Sequence, residues 1–186
     1  FGFALMVASV VPVPVVQQGA MAAGLVIESA SELARHGELS AMELETRAAA
    51  VASRHAGSPA GHSAQLVLLR QATRGQPATD AAATWRAFVE QHPAMPAPRL
   101  ELMQALVRQV STGQSADGLP TPEILQLADS LFTLDAASPA QRIRAISLLL
   151  EAGQAAPVAT EVDDSARWLA RADSLAVDPD IGEVER

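Results

Sequence analysis

Gln141-Arg142-Ile143-Arg144-Ala145-Ile146-Ser147-Leu148-Leu149-Leu150-Glu151-Ala152-Gly153-Gln154 is the stretch on which the fold turns. Ile143, Ile146 and Leu150 recur at the spacing that lines one face of a helix, and Gly153 stands where a helix is expected to stop. Two earlier stretches close on the same Gly-Gln step, at Gly75-Gln76 and Gly113-Gln114. Counting back three, seven and ten residues from each glycine gives Ala72, Leu68 and Gln65; Val110, Leu106 and Met103; and Leu150, Ile146 and Ile143. All but Gln65 are apolar, so helices over residues 61–73, 99–111 and 141–151 are each predicted to bury the same face.

Partner helices are predicted between them, over residues 79–92, 121–135 and about 161–177. The last two share a literal repeat, Ala128-Asp129-Ser130-Leu131 and Ala172-Asp173-Ser174-Leu175, 44 positions apart. The helix starts carry their own signals. Ser58-Pro59, Thr121-Pro122 and Ser138-Pro139 each put a capping hydroxyl before a first-turn proline, and Gln141 adds the second half of a capping box. Upstream, residues 20–36 have a helical period that Gly37 stops, and Ser40-Ala41-Met42-Glu43 is a capping box opening a further helix that runs to Gly57.

The phrase Ser174-Leu175-Ala176-Val177-Asp178-Pro179 resembles the close of the second helix in tetratricopeptide repeats, and Ser130-Leu131-Phe132-Thr133-Leu134-Asp135 resembles it with one extra residue and Ala136 in place of proline. Leu149-Leu150-Glu151-Ala152-Gly153-Gln154 is similar to the end of that family's first helix. The resemblance covers residues 58–186 and implies a right-handed array of antiparallel helix pairs, a tetratricopeptide-like α-solenoid that binds proteins. The Gly-Gln steps lie 38 and 40 residues apart, against a repeat of about 34. Neither Trp85 nor Trp168 occupies the family's first-helix tryptophan position, so the array is expected to be degenerate, with about three pairs.

Composition agrees with an all-α chain. Half of the 186 residues are hydrophobic but only 3% aromatic, so the core is expected to consist of Ala, Leu, Val and Ile packed between helices. There is no Lys, Asn, Tyr or Cys, and all 13 basic residues are Arg. This usage fits a GC-rich bacterial genome. It also removes P-loop and Schiff-base lysines, thiolate nucleophiles, disulfides, zinc ribbons and an acylated lipobox cysteine. A net charge of −8 argues against nucleic acid as a partner, and residues 161–186 alone carry eight acids and three Arg.

The first 27 residues contain no charge at all. A bilayer core of about 30 Å takes about 20 helical residues, so the run is long enough to span one, although Pro12 and Pro14 interrupt helical bonding and Gln17-Gln18-Gly19 follow. Three roles fit it: the end of a transmembrane anchor, a secretory signal with a small-residue site at Ala20-Met21-Ala22, or an apolar arm packed on the helical domain. Membrane contact is assigned to Phe1, Phe3, Leu5, Val7, Val10 and Val16. The expected organisation is an anchor or signal-like arm over residues 1–19, two linker helices over 20–57 and the repeat domain over 58–186.

No catalytic, cofactor or metal site is expected. His55 and His62 flank one turn without further convergent ligands, and Ser58 and Ser63 near His62 lack the elbow of a serine hydrolase. Glu161, Asp163 and Asp164 suit a helix N-terminus better than a calcium site. In a chain this poor in aromatics, core filling is the expected use of Trp85 and Trp168, with a role as interface anchors as the alternative for both. The expected role is a non-enzymatic interaction or scaffolding subunit of a bacterial membrane or envelope complex, at the inner membrane with the helices in the periplasm. The alternatives are the terminal domain of a larger polytopic membrane enzyme, such as an envelope-polymer ligase, since the chain opens on Phe1 rather than Met, and a soluble periplasmic binding module.

Overall fold

The computed structural model describes residues 15–113, 121–155 and 162–177, with side chains left out at a few positions within α1, α6 and α8. Among the described residues there are eight helices and no strand: α1 (Val15–Arg35), α2 (Ala41–Arg54), α3 (Pro59–Thr73), α4 (Ala78–Gln91), α5 (Pro96–Thr112), α6 (Thr121–Thr133), α7 (Pro139–Ala155) and α8 (Val162–Ala176). They fall into two compact units, residues 1–74 and 75–186.

In unit 1, α1, α2 and α3 pack against one another. α1 starts directly after Pro14 and runs through Gln17, Gln18 and Gly19, where a break was expected; it stops before Gly37, whose φ of 77° only glycine adopts freely. α2 opens on the predicted capping box. The Glu43 N–H donates to Ser40 Oγ at 3.2 Å, and the Ser40 N–H donates back to the Glu43 carboxylate at 3.1 Å. Ser40→Ala is expected to lower the stability of unit 1 by about 1 kcal/mol, measured by urea denaturation followed by circular dichroism. The hydrogen bonds from Ser40 hold the Glu43 carboxyl below its ordinary range. Its stabilising effect is therefore complete at neutral pH and fades as pH falls through that lowered value.

The core of unit 1 is made of small and aliphatic side chains: Ile27 and Ala30 from α1, Leu39 from the first connection, Leu44 and Ala48 from α2, and Ala64 and Val67 from α3. Ala48 and Ala64 are fully buried, and their small size lets the helix backbones approach closely. The turn from α2 to α3 is tied by one hydroxyl. Ser58 Oγ donates to the His55 carbonyl at 2.7 Å and accepts from the Gly61 N–H at 3.1 Å.

In unit 2, α5 is the central helix, packed against α4, α6 and α7, while α7 also contacts α6 and α8. Leu102, Met103, Ala105, Leu106, Val107 and Val110 are all buried, an arc too wide for a helix covered on one side. Ile124, Leu131, Leu148 and Leu149 complete the interior from α6 and α7. α7 opens as predicted: the Ser138 N–H donates to Gln141 Oε1 at 2.9 Å and the Gln141 N–H to Ser138 Oγ at 3.3 Å.

The Gly-Gln step does not have one meaning. Gly75 and Gly113 are left-handed, with φ of 79° and 63°, and lie just beyond their helices. Gly153 lies inside α7, which continues to Ala155. The common buried face is likewise confined to α5, where Met103, Leu106 and Val110 are enclosed. In α7 the buried residues are Ala145, Leu148, Leu149 and Ala152, with Ile143, Ile146 and Leu150 half-buried beside them. In α3 they include Ala60, Ala64 and Val67, and Ala72 is exposed. The buried arc follows where neighbouring helices lie, which differs between α3, packed on α1 and α2, and the helices of unit 2.

No helix among the described residues is long and apolar enough to cross a membrane. Ala23, Ile27 and Ala30 of α1 are buried in unit 1, so the uncharged run is not open to a bilayer along its whole length to Ile27.

Candidate functional site

Of the residues singled out in the sequence, Phe1, Phe3, Leu5, Val7 and Val10 lie outside the described residues. Val16 falls in the first turn of α1 and Trp168 in α8, both with side chains outside the described set, and the same holds for the acidic group Glu161, Asp163 and Asp164. Trp85 is 1% exposed and serves the interior of unit 2. Its ring meets Phe88 edge-on at 6.3 Å, and Phe88 in turn lies 4.4 Å from the His92 ring. Among the described residues no three His, Asp or Glu side chains converge as metal ligands would. His55 instead caps α2 and His92 caps α4.

A cleft of about 370 Å³ opens in unit 1, where the ends of α1 and α3 meet the start of α2. Leu39, Leu44 and Val67 form its nearly closed floor. Arg35 from the last turn of α1 and Arg70 and Arg74 from the end of α3 stand around it, with Gln71 between the latter two. None of its ten lining residues is acidic. Chance distribution of charge would not favour this, because residues 1–74 hold five Arg and five acids, and three of the five Arg share this one cleft. Sequence inspection missed the group because each Arg reads alone as a cation near a helix C-terminus.

Unit 2 carries a different polar feature. Arg86 of α4 grips Glu123 of α6 with two parallel bonds of 2.8 Å, from Nε and Nη2. That carboxylate holds the Arg86 guanidinium more firmly protonated than usual. Arg171 of α8 then reaches Asp129 of α6 through Nε at 2.7 Å and through Nη2. The even-numbered helices are thus joined in series by arginine–carboxylate pairs, while α5 and α7 meet through apolar surface. Exposed pairs of this kind contribute little to stability, about 0–1 kcal/mol each, but their planar geometry fixes register.

The literal repeat is also a structural one. Ala128 and Leu131 are buried in α6, as are Ala172 and Leu175 in α8. Ser130 Oγ donates to the Leu127 carbonyl at 2.7 Å, and Ser174 Oγ donates to the Arg171 carbonyl at 2.8 Å, the same bond three residues back. Away from these contacts, α1 presents Leu25, Val26 and Leu33 to solvent at 65%, 48% and 38% exposure. No family model, curated protein or solved structure matches the chain.

Proposed function

We propose that the chain is a non-enzymatic protein-interaction subunit of a bacterial membrane or envelope complex, with unit 2 a short, degenerate array of tetratricopeptide-like helix pairs. The observation that carries this reading is the layering of unit 2: even helices linked by Arg86–Glu123 and Arg171–Asp129, odd helices α5 and α7 packed through apolar side chains. Such layering arises when each helix pair cannot cover its own apolar face and stacks on the next. The recurrent Ala-Asp-Ser-Leu turns of α6 and α8 support the same repeat. Membrane proximity rests on the uncharged residues 1–14 and on the exposed Leu25, Val26 and Leu33 of the helix that follows them.

Cell fractionation tests both parts. The protein is expected in the membrane pellet after a high-salt wash, and, after mild detergent extraction, in a particle well above its own 19.4 kDa that contains a second polypeptide in fixed ratio. Full recovery in the soluble fraction would remove the membrane part, and a monomer in detergent would remove the subunit part. The same blot reads the alternative, because a terminal domain of a polytopic enzyme would run as a much longer chain.

A further inference from the structure

We propose that the cleft of unit 1 is an oxyanion site that takes a phosphate group, held between the guanidinium groups of Arg35, Arg70 and Arg74. The cleft is concave, has an apolar floor of Leu39, Leu44 and Val67, and carries no acidic side chain in its lining. Guanidinium groups are planar, always charged and matched to paired oxygens, so three around one hollow fit a tetrahedral anion better than a neutral or cationic ligand.

Helix-end neutralisation explains Arg35 and Arg74 less well. A cation serving a helix C-terminus is expected to bond its last carbonyls. Arg35 instead meets Glu32 at 2.6 Å, in a pair with both side chains more than half exposed. Exposed pairs of this kind exchange readily for a stronger acceptor. Among the described residues Arg74 has no ion pair or side-chain hydrogen bond, and its side chain is exposed at the rim. The start of α2 adds polarity of the same sign: Ala41 lines the cleft, and its backbone N–H, in the first helical turn, has no acceptor within the helix. Ser31 contributes no donor, since its hydroxyl proton goes to the Ile27 carbonyl at 2.8 Å.

A phosphate group reaches such a cleft either as the free ion or as the headgroup of an anionic lipid, and the chemistry is shared. The site does not depend on the protein-interaction role of unit 2. It is tested on the full chain, labelled with nitrogen-15, by following the arginine Nε–Hε signals and the amides of unit 1 while inorganic phosphate is added at constant ionic strength. A second arm measures flotation with phosphatidylcholine vesicles with and without phosphatidylglycerol. Arg70→Gln/Arg74→Gln is compared with Arg47→Gln/Arg54→Gln, which removes the same charge from exposed positions outside the cleft. Matching circular dichroism spectra of the two variants exclude misfolding as the cause.

Saturable phosphate shifts confined to the cleft, weakened at least tenfold in Arg70→Gln/Arg74→Gln and retained in the control, support the site with the free ion as ligand. A severalfold preference for phosphatidylglycerol vesicles, lost only in Arg70→Gln/Arg74→Gln, supports it with the headgroup as ligand. Shifts that never saturate together with no vesicle preference, or equal losses in both variants, overturn it.

Discussion

Trp85→Ala is expected to destabilise unit 2 by about 3–5 kcal/mol, the usual cost of removing a large aromatic side chain from a packed interior. Trp85 is 1% exposed and is, among the described residues, the largest of the fully enclosed side chains in a protein with only 3% aromatic residues. The buried residues of unit 2 are mostly Ala and Leu, whose side chains relax only in part into a space the size of an indole, so much of the lost volume is expected to stay open as a cavity. Trp85→Phe, which keeps a ring edge for Phe88 to meet, is expected to lose less. Urea denaturation, with hydrogen exchange in α4 and α5 as the local readout, measures the effect. An unchanged transition would mean that Trp85 is a surface anchor after all.

Gly61→Ala is expected to destabilise unit 1 by about 2–3 kcal/mol or more, even though alanine is worth up to about 1 kcal/mol over glycine within a helix. A Cβ at Gly61 would stand 2.1 Å from the His55 carbonyl oxygen and 2.9 Å from its carbon. Both obstacles are backbone, and the same oxygen accepts from Ser58 Oγ and from the Ser58 N–H. Making room therefore means opening the turn that Gly57, at φ 75°, allows to close. Gly24→Ala provides the contrast. Its Cβ would meet only Ala60 Cβ at 3.9 Å, an ordinary contact, so stability is expected to hold or rise. Thermal denaturation of the two variants side by side decides: a Gly61→Ala protein as stable as Gly24→Ala would contradict the geometry of the turn.

What could be read from the chain alone was local. The capping boxes at Ser40/Glu43 and Ser138/Gln141 form as their residue types and spacing require, because both partners lie within one turn of helix. The eight helices are at their expected places, with ends shifted by a few residues: α1 begins at Val15, α5 opens at Pro96 and α7 runs on to Ala155. Gly153 misled for the same reason that Gly75 and Gly113 did not. A glycine permits a left-handed stop without imposing one, and α7 has an apolar Ala152 to bury beyond Glu151, which sustains the helix. Trp85 was expected in the core only because aromatics are scarce in this chain; its spacing alone serves a core or an interface equally well until the neighbours are known.

The residues of the candidate site were legible only as unrelated single arginines. Arg35 and Arg74 are 39 positions apart, and nothing in their local sequence says that the end of α1 and the end of α3 face one hollow. The same is true of Arg86 with Glu123 and of Arg171 with Asp129, which are 37 and 42 residues apart. By itself the sequence determined the all-helical class, the helix starts and the small aliphatic core, since propensity, capping and apolar periodicity act over a few residues. Only the tertiary structure decided that α3 packs with α1 and α2, which arc of each helix is buried, and which charges meet, because those depend on where distant helices come to rest against one another.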